Sequence, residues 1–231
     1  MFLANALKLK SRVATAFDIG SVSNIKAWYK LKTGQTVSSG NLTVWADSSG
    51  NTTEDMDLDV VSGVLPINTT TGAVNFNTVD KGFISTSSDQ LNLSTFTILA
   101  VLDVVESGAA NEAVFGRLGN DEFRLYRGSN GANVRLRANG INYDATLTTG
   151  TLPTGKFLLT LRRNINGVLT IDVDDTNANN IGTTITDLFD FTRLGNGATD
   201  CFMYELVFFN DRKSDTDLAP VIQDISNRNG L

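Results

Sequence analysis

Phe202-Met203-Tyr204-Glu205-Leu206-Val207-Phe208-Phe209-Asn210 is the stretch of this 231-residue chain that decides its fold. Almost every position in it is apolar or aromatic, which is typical of a central strand covered on both faces. Glu205 is the exception, and we expect both Glu205 and the preceding Cys201 to be structural. Residues 95–104 form a second strongly apolar run, so they are the natural partner of this strand in a sheet.

A short amphipathic helix of about three turns is predicted after this strand. Ser214 and Asp217 have the spacing of a capping box, whose side chains satisfy free amides at a helix start. We expect Pro220 to lie in the first turn, where its missing N–H is not needed. Asn229-Gly230 ends the helix. One apolar stripe is formed by Leu218, Val221, Ile222 and Ile225.

The middle of the chain reads as a series of antiparallel hairpins. Short apolar runs alternate with turns, and two of the turns contain Asn139-Gly140 and Asn166-Gly167. The second is the strongest hairpin signal, because Asn-Gly accepts the positive φ angles of a type I′ turn. The pattern predicts an all-β chain with one domain over residues 25–231 and an N-terminal arm over residues 1–24.

The composition excludes several classes of function. The chain has no histidine, which removes Ser-His-Asp and Cys-His catalysis and ordinary zinc enzymes. A net charge of −6 and a pI of about 4.7 argue against a nucleic-acid partner. No apolar run is long enough for a membrane span, and the first residues lack the features of a signal peptide. We therefore expect the protein to need no cofactor. We also expect it to belong to a particle that is assembled in a cell's cytoplasm and released by lysis.

The N-terminal arm has two readings. Its apolar residues share a possible helical face and basic residues cluster beside them. The arm either covers part of its own core or docks on a neighbouring subunit of a homo-oligomer. The candidate partner-binding residues are Phe2, Leu3, Leu7, Lys8, Lys10 and Arg12.

Residues 54–60 alternate strictly between acidic and apolar side chains. This alternation predicts a strand with Asp55, Asp57 and Asp59 on one side. The three carboxylates form either a solvated face or a calcium site, since calcium prefers several oxygen ligands.

Residues 117–163 carry eight Lys or Arg against three Asp or Glu, so this segment is basic in an acidic chain. Its arginines alternate with apolar residues, which places them on the outer face of one sheet region. They form either a soluble face that protects an edge or a patch for an acidic partner or polar glycan. The candidate patch consists of Arg124, Tyr126, Arg135, Arg137 and Tyr143.

Asp172 and Asp174 lie two residues apart on a predicted strand, which is one arrangement that a retaining glycosidase could use. Ile171 and Val173 supply the core face of this strand, so we expect both acids to point to solvent.

Several blocks resemble the concanavalin A-like jelly roll, particularly the laminin-G-like lectin domains of tailed-bacteriophage virion proteins. That resemblance implies two antiparallel sheets packed face to face. No set of residues matches the calcium and sugar positions of glycan-binding relatives, and no E-x-D-x-E run matches glucanase relatives. The resembling blocks are the first strand with Trp28, the W-x-D-x-S-G-N pattern from Trp45 to Asn51, Asn166-Gly167, residues 191–195, residues 205–210 and Ser214.

The expected function is that of a non-enzymatic virion structural protein of a tailed phage. It would be a surface module of capsid or tail, such as a decoration, fibre or collar component, anchored on other virion proteins by its arm. The alternative is a carbohydrate-binding module for a host-surface glycan, and a glycoside hydrolase comes third.

Overall fold

The fold is seen in a computed structural model of the chain. The residues that the structure describes are 17–51, 57–62, 65–76, 81–84, 92–104, 112–117, 121–128, 131–147, 152–174, 176–181, 184–191, 193–194 and 201–231.

Within these ranges the chain is almost entirely β-structure. A 3-10 helix spans Ile19–Ser21 and helix α1 spans Asp215–Asn229. The strands, in chain order, are β1 (Ile25–Tyr29), β2 (Gln35–Ser38), β3 (Asn41–Trp45), β4 (Leu58–Ser62), β5 (Leu65–Asn68), β6 (Ala73–Asn75), β7 (Lys81–Ile84), β8 (Asn92–Leu93), β9 (Phe96–Val104), β10 (Glu112–Arg117), β11 (Asp121–Gly128), β12 (Gly131–Ala138), β13 (Ile141–Thr146), β14 (Phe157–Arg163), β15 (Leu169–Val173), β16 (Thr176–Ile181), β17 (Phe189–Asp190), β18 (Arg193–Leu194) and β19 (Cys201–Phe209).

Among the described residues, seventeen strands form two layers, and β8 and β17 form a separate two-stranded sheet. One sheet, here called the helix-side sheet, has β1 and β6 along one edge of β19, followed by β9, β14, β15 and β16. The other, here called the open sheet, runs β2, β3, β4, β7, β18, β10, β11, β12 and β13. Strand β5 pairs with β3 and with β6 and so links the layers. Every pairing among the described strands is antiparallel, which confirms the all-β antiparallel prediction.

Strand β19 is central, as its apolar sequence predicts. It pairs with β9 over almost its whole length and with β1 and β6 on its other edge. Leu206 and Phe208 face the core between the sheets, whereas Val207 and Phe209 face helix α1. Cys201 is completely buried in the core between the sheets, as expected of a structural residue.

A β-bulge at Tyr204 interrupts this alternation. Met203 pairs with Leu102 and Glu205 pairs with Val101, so Tyr204 is one residue extra on strand β19. The extra residue changes the side on which the following residues lie. Glu205 consequently faces α1 rather than the apolar core between the sheets.

Helix α1 has the predicted caps. Ser214 and Asp217 exchange both hydrogen bonds of a capping box, and Gly230 closes the helix in the left-handed conformation. The predicted stripe is confirmed, because its side chains pack on the helix-side sheet. The expected position of Pro220 is wrong: it lies beyond the first turn, where a residue with an N–H would bond to the Thr216 carbonyl. Its exposed position leaves that carbonyl close to solvent.

Glu205 joins the helix to the sheet. Its carboxylate is fully buried and accepts hydrogen bonds from Trp28 Nε1 at 2.7 Å, Arg228 Nη2 at 2.9 Å and Asn229 Nδ2 at 2.8 Å. Arg228 also lies over the Trp28 ring at 5.3 Å and contacts Asp224 at 2.8 Å. Burial lowers the pKa of Arg228, but its contacts with Glu205 and Asp224 outweigh this effect and raise the pKa above its ordinary value. These contacts confirm the structural role expected of Glu205.

Only one of the two Asn-Gly turns is of the expected type. Asn139 and Gly140 have φ angles of 47° and 81°, as a type I′ turn requires. The hairpin predicted around Asn166-Gly167 is confirmed, because β14 pairs with β15, but its turn is not of type I′, since only Gly167 has a positive φ, of 78°. The loop between β14 and β15 is longer than two residues, and the Gly167 N–H closes a turn on the Asn164 carbonyl at 2.9 Å.

Gly167→Ala should destabilise the protein more than Gly140→Ala does. Both residues have φ near 80°, and left-handed backbone costs a non-glycine residue about 1 kcal/mol. A Cβ at Gly167 would lie 2.3 Å from the Ile185 carbonyl oxygen, whereas a Cβ at Gly140 meets nothing within 4 Å. We expect the Gly167 variant to lose about 2 kcal/mol more unfolding free energy in urea titrations. Equal losses would mean that the Ile185 carbonyl moves aside.

Glu205→Ala should lower the free energy of unfolding by about 3–5 kcal/mol, because it leaves the Arg228 charge without its main partner. The double variant Glu205→Leu/Arg228→Met removes both charges, and we expect it to recover much of this loss. Urea denaturation followed by tryptophan fluorescence measures both. A loss below about 1 kcal/mol in the single variant would contradict the anchoring role.

Candidate functional site

The predicted binding residues of the arm, Phe2, Leu3, Leu7, Lys8, Lys10 and Arg12, lie outside the described residues. The described structure begins at residue 17, and Asp18 caps the short 3-10 helix by accepting a hydrogen bond from the Gly20 N–H. Ile19 is fully buried in the cluster between α1 and the helix-side sheet. The end of this segment therefore packs on its own domain, and docking of the arm on a neighbour stays a prediction.

The acidic run lies only partly within the described structure. Strand β4 begins at Leu58, so Asp57 precedes the strand, and residues 54–56 lie outside the described residues. The Asp57 carboxylate accepts a hydrogen bond from the Asp47 N–H at 2.7 Å, while Asp55 and the side chain of Asp59 lie outside the described structure. Across the residues that are described, no group of three or more His, Cys, Asp or Glu could hold a metal ion.

The W-x-D-x-S-G-N block joins two strands. Trp45 is fully buried, and the Asp47 carboxylate accepts hydrogen bonds from the Trp28 N–H at 2.7 Å and the Ser49 N–H at 2.9 Å. The Ser49 hydroxyl closes this turn by donating to Asp47. The block therefore stabilises the fold and carries no free recognition group of its own.

The three predicted arginines share one face of the open sheet. Phe123, Leu125, Val134 and Leu136 are buried between the sheets, so the alternating positions face outward. Strand pairing places Arg124 directly opposite Arg135. Arg137 lies two residues further along β12. We call Arg124, Arg135 and Arg137 the arginine face.

The two tyrosines do not both join this face. Tyr143 pairs with Leu136 and packs against the core between the sheets, so its inclusion in the patch is corrected. The error arose because the pairing of β12 with β13 across the Asn139-Gly140 turn decides which β13 residues lie on the side of the arginines, and alternation along β13 alone does not. Tyr126 pairs with Asn133, and its side chain lies outside the described structure.

The arginine face is electrostatically unusual. Like charges directly opposite on neighbouring strands destabilise a sheet, and Arg124 and Arg135 form such a pair. Asp144 pairs with Arg135 on its other side, and Glu122 pairs with Arg137. The row Arg124, Arg135 and Asp144 thus has an excess of one positive charge. Two adjacent guanidinium groups suit an anion with several oxygens, which they bind through paired N–H donors.

Arg163 was not singled out by sequence analysis. Only 1% of its surface is exposed, and its guanidinium donates to the backbone carbonyls of Leu93 and Ile185. Burial lowers its pKa, while the nearby Asp187 and Tyr143 act in the opposite direction. A strand pattern that alternates strictly would have indicated an inward Arg163, because Leu161 lies on the same side and is buried.

The expectation that Asp172 and Asp174 both point to solvent is wrong for Asp172. Asp172 is buried and forms an ion pair with Arg162 at 2.6 Å, and Arg162 also contacts Asp215 at the start of α1. This contact with Arg162 lowers the pKa of the exposed Asp215. Asp174 follows the end of β15, and its carboxylate accepts from the Leu158 N–H at 2.9 Å. Ile171 and Val173 face the core as expected.

A cleft of about 320 Å³ lies between α1 and the ends of β14 and β15. Sequence analysis did not find it, because it depends on how the helix crosses the sheet. Its lining residues are Lys156, Leu158, Asp174, Ile222, Ser226 and Leu231.

Comparison with solved structures defines the fold. The chain is similar to the binding domain of botulinum neurotoxin serotype D, with a TM-score of 0.60, 13% identity and coverage of 87% of this chain and 51% of that one. The binding domain of botulinum neurotoxin DC in complex with SialylT has a TM-score of 0.61 and 12% identity, with coverage of 87% of this chain and 51% of that one. Trypanosoma rangeli sialidase has a TM-score of 0.58 and 15% identity, with coverage of 88% of this chain and 33% of that one. No protein-family model and no curated protein sequence matches the chain.

These similarities confirm a concanavalin A-like β-sandwich with one C-terminal helix. At such low identity they concern the fold alone. The chain spans about half the length of the toxin domains and a third of the sialidase. In the part of the chain that the structure describes, no helix is long and apolar enough to cross a membrane.

Proposed function

We propose that this protein is a non-enzymatic carbohydrate-recognition module that binds an acidic glycan on its arginine face. The observation that carries the proposal is the position of Arg124 directly opposite Arg135 on the outer side of the open sheet. Sheet stability alone disfavours this arrangement. A carboxylate or sulfate that spans the two guanidinium groups would add charge-assisted contacts to those that the two arginines already make.

The net charge of the chain favours a short ligand that contacts the arginine face alone. The whole protein has a net charge of −6, so an extended polyanion such as nucleic acid meets overall repulsion. A short acidic glycan needs only the basic face. The fold similarity supports this class of ligand, because one of the toxin domains with this fold is known in complex with SialylT.

Binding without catalysis agrees with the residues present. The chain has no histidine, and the two carboxylates considered for glycoside hydrolysis are not both available. Asp172 pairs with Arg162, and Asp174 holds the Leu158 N–H. A general acid of a glycosidase instead needs a carboxyl group held protonated beside the scissile bond.

Arg124→Gln and Arg135→Gln should each weaken binding of sulfated or sialylated glycans by about tenfold, the usual effect of losing a charge-assisted contact. Arg212→Gln is the matched control, because Arg212 is an exposed arginine next to α1, remote from the open sheet's outer face. A glycan array with neutral and acidic members, followed by calorimetry at two salt concentrations, measures the effect.

We expect affinity to fall as salt rises, because Arg124 and Arg135 are only half-buried and dissolved ions screen their charges. An equal loss of affinity for acidic glycans in the Arg212→Gln control would defeat the proposal. Equal binding of neutral and acidic glycans on the arginine face would also defeat it.

A second candidate function is a surface module of a phage particle, on capsid or tail, assembled in the host cytoplasm and anchored by residues 1–24. The resemblance of residues 191–195 and 205–210 to phage virion domains favours it. This role is compatible with glycan binding, since a virion surface protein is a natural carrier of a recognition module. Its partners would be other virion proteins or further copies of this chain.

Mass spectrometry of purified particles from lysed host cultures tests this placement. We expect peptides of the chain in mature particles, and a variant without residues 1–16 should fold but be absent from them, because the anchor is lost. Absence of the intact chain from mature particles would overturn the proposal.

A further inference from the structure

The cleft beside α1 lies on the opposite side of the sandwich from the arginine face. One wall is sheet, with Lys156 and Leu158 at the start of β14 and Asp174 directly after β15. The other wall is the C-terminal half of α1, with Ile222 and Ser226. Its volume of about 320 Å³ is at the lower end of the range for small-molecule sites in proteins.

The Asp174 carboxylate is held firmly at the cleft. Asp174 has a left-handed φ of 47°, which a non-glycine residue rarely adopts. Its N–H donates to the Leu158 carbonyl at 2.9 Å and its Oδ1 accepts from the Leu158 N–H at 2.9 Å. Among the described residues Oδ2 accepts no hydrogen bond, so one oxygen orients the side chain and the other is available to a ligand.

Lys156 presents the opposite charge on the same wall of the cleft. Its ammonium group donates to the Asn229 carbonyl near the end of α1 and lies 5.0 Å from the centre of the Tyr204 ring. These contacts hold the ammonium in place, and an ammonium has three donors in all. At least one N–H is therefore left for a molecule in the cleft.

These groups select for a neutral ligand that both donates and accepts. A cation would be repelled by the Lys156 ammonium and an anion by the Asp174 carboxylate, so neither kind of ion is favoured. Hydroxyl groups can donate to the Asp174 carboxylate, accept from the Lys156 ammonium and do both with the Ser226 hydroxyl. Leu158 and Ile222 supply apolar contacts for the C–H face of a ring.

We propose that this cleft binds one neutral sugar residue, with vicinal hydroxyls bridging Asp174 and Lys156 and its apolar ring face against Leu158 and Ile222. The site is independent of the arginine face, which takes a charged group on the other sheet. The protein would then contact a carbohydrate at two separate places, one neutral and one acidic.

The test is a titration of the ¹⁵N-labelled full chain with methyl α-glucoside, methyl β-galactoside and N-acetylglucosamine, with glycerol and free sialic acid as comparison probes. At least one neutral sugar should shift the amide signals of Leu158, Asp174 and Ser226, with a dissociation constant of about 1–10 mM. Sialic acid should leave these signals in place. Glycerol, which lacks a ring to cover the apolar wall, should bind more weakly.

Two variants identify the contacts. Asp174→Asn keeps an oxygen that can accept from the Leu158 N–H and tolerates the left-handed backbone, so it removes the charge and replaces the available acceptor oxygen with an NH₂ donor. We expect it to weaken sugar binding about tenfold, and Lys156→Met to do the same, with unchanged unfolding midpoints for Asp174→Asn. Arg135→Gln should leave this binding unchanged, because it lies on the other sheet.

The inference is overturned if no neutral sugar shifts the three amides at about 20 mM, or if Asp174→Asn binds as the natural chain does. It is also overturned if Arg135→Gln removes the neutral-sugar shifts, because the binding then belongs to the arginine face. Loss of acidic-glycan binding in Arg135→Gln with retained neutral-sugar binding supports both sites. Failure of the acidic site alone leaves the result for the cleft unaffected.

Discussion

The buried carboxylate of Glu205 is the contact on which the arrangement of helix and sheets depends. It lies on the central strand and takes hydrogen bonds from Trp28 on β1 and from Arg228 and Asn229 on α1. Removing a carboxylate from water costs several kcal/mol unless good partners surround it. The helix can therefore end in only one place on the sheet, because its last turn carries two of the three partners. The walls of the cleft, which come from β14 and α1, inherit their spacing from this contact.

Most of the fold could be predicted from local pattern. The apolar run of β19, the capping box at Ser214 and the stripe on α1 each depend on neighbours in sequence, and the structure has them as predicted. The position of Pro220 within α1 was mispredicted because it depends on where the helix begins. The turn type at Asn166-Gly167 was mispredicted because it depends on the length of the loop. Asp172 was misplaced because its partner, Arg162, lies on a neighbouring strand. Such pairing depends on register, which a single sequence does not reveal.

The candidate sites also differ in how far the sequence predicts them. The arginine face was predictable, since alternation along β11 and β12 is enough to place its members on one side. Tyr143 failed the same rule because the pairing of β13 places it opposite Leu136. The cleft had no sequence signal, because Lys156, Asp174 and Ser226 come from three separate elements. Together the sites give the two outer sides of the sandwich different chemistry, with arginines on the open sheet and a mixed polar cleft beside the helix.

The bulge at Tyr204 decides where β19 can change in length. Deleting Tyr204 would leave Met203 opposite Leu102 and Glu205 opposite Val101, so the ladder would become regular and every remaining side chain would keep its side. A further residue inserted beside Tyr204 would instead need a second bulge to keep Cys201 and Met203 in the core. The strand therefore accommodates the loss of a residue at this position more easily than a gain. Among related chains, we expect differences in the length of β19 to occur at the bulge.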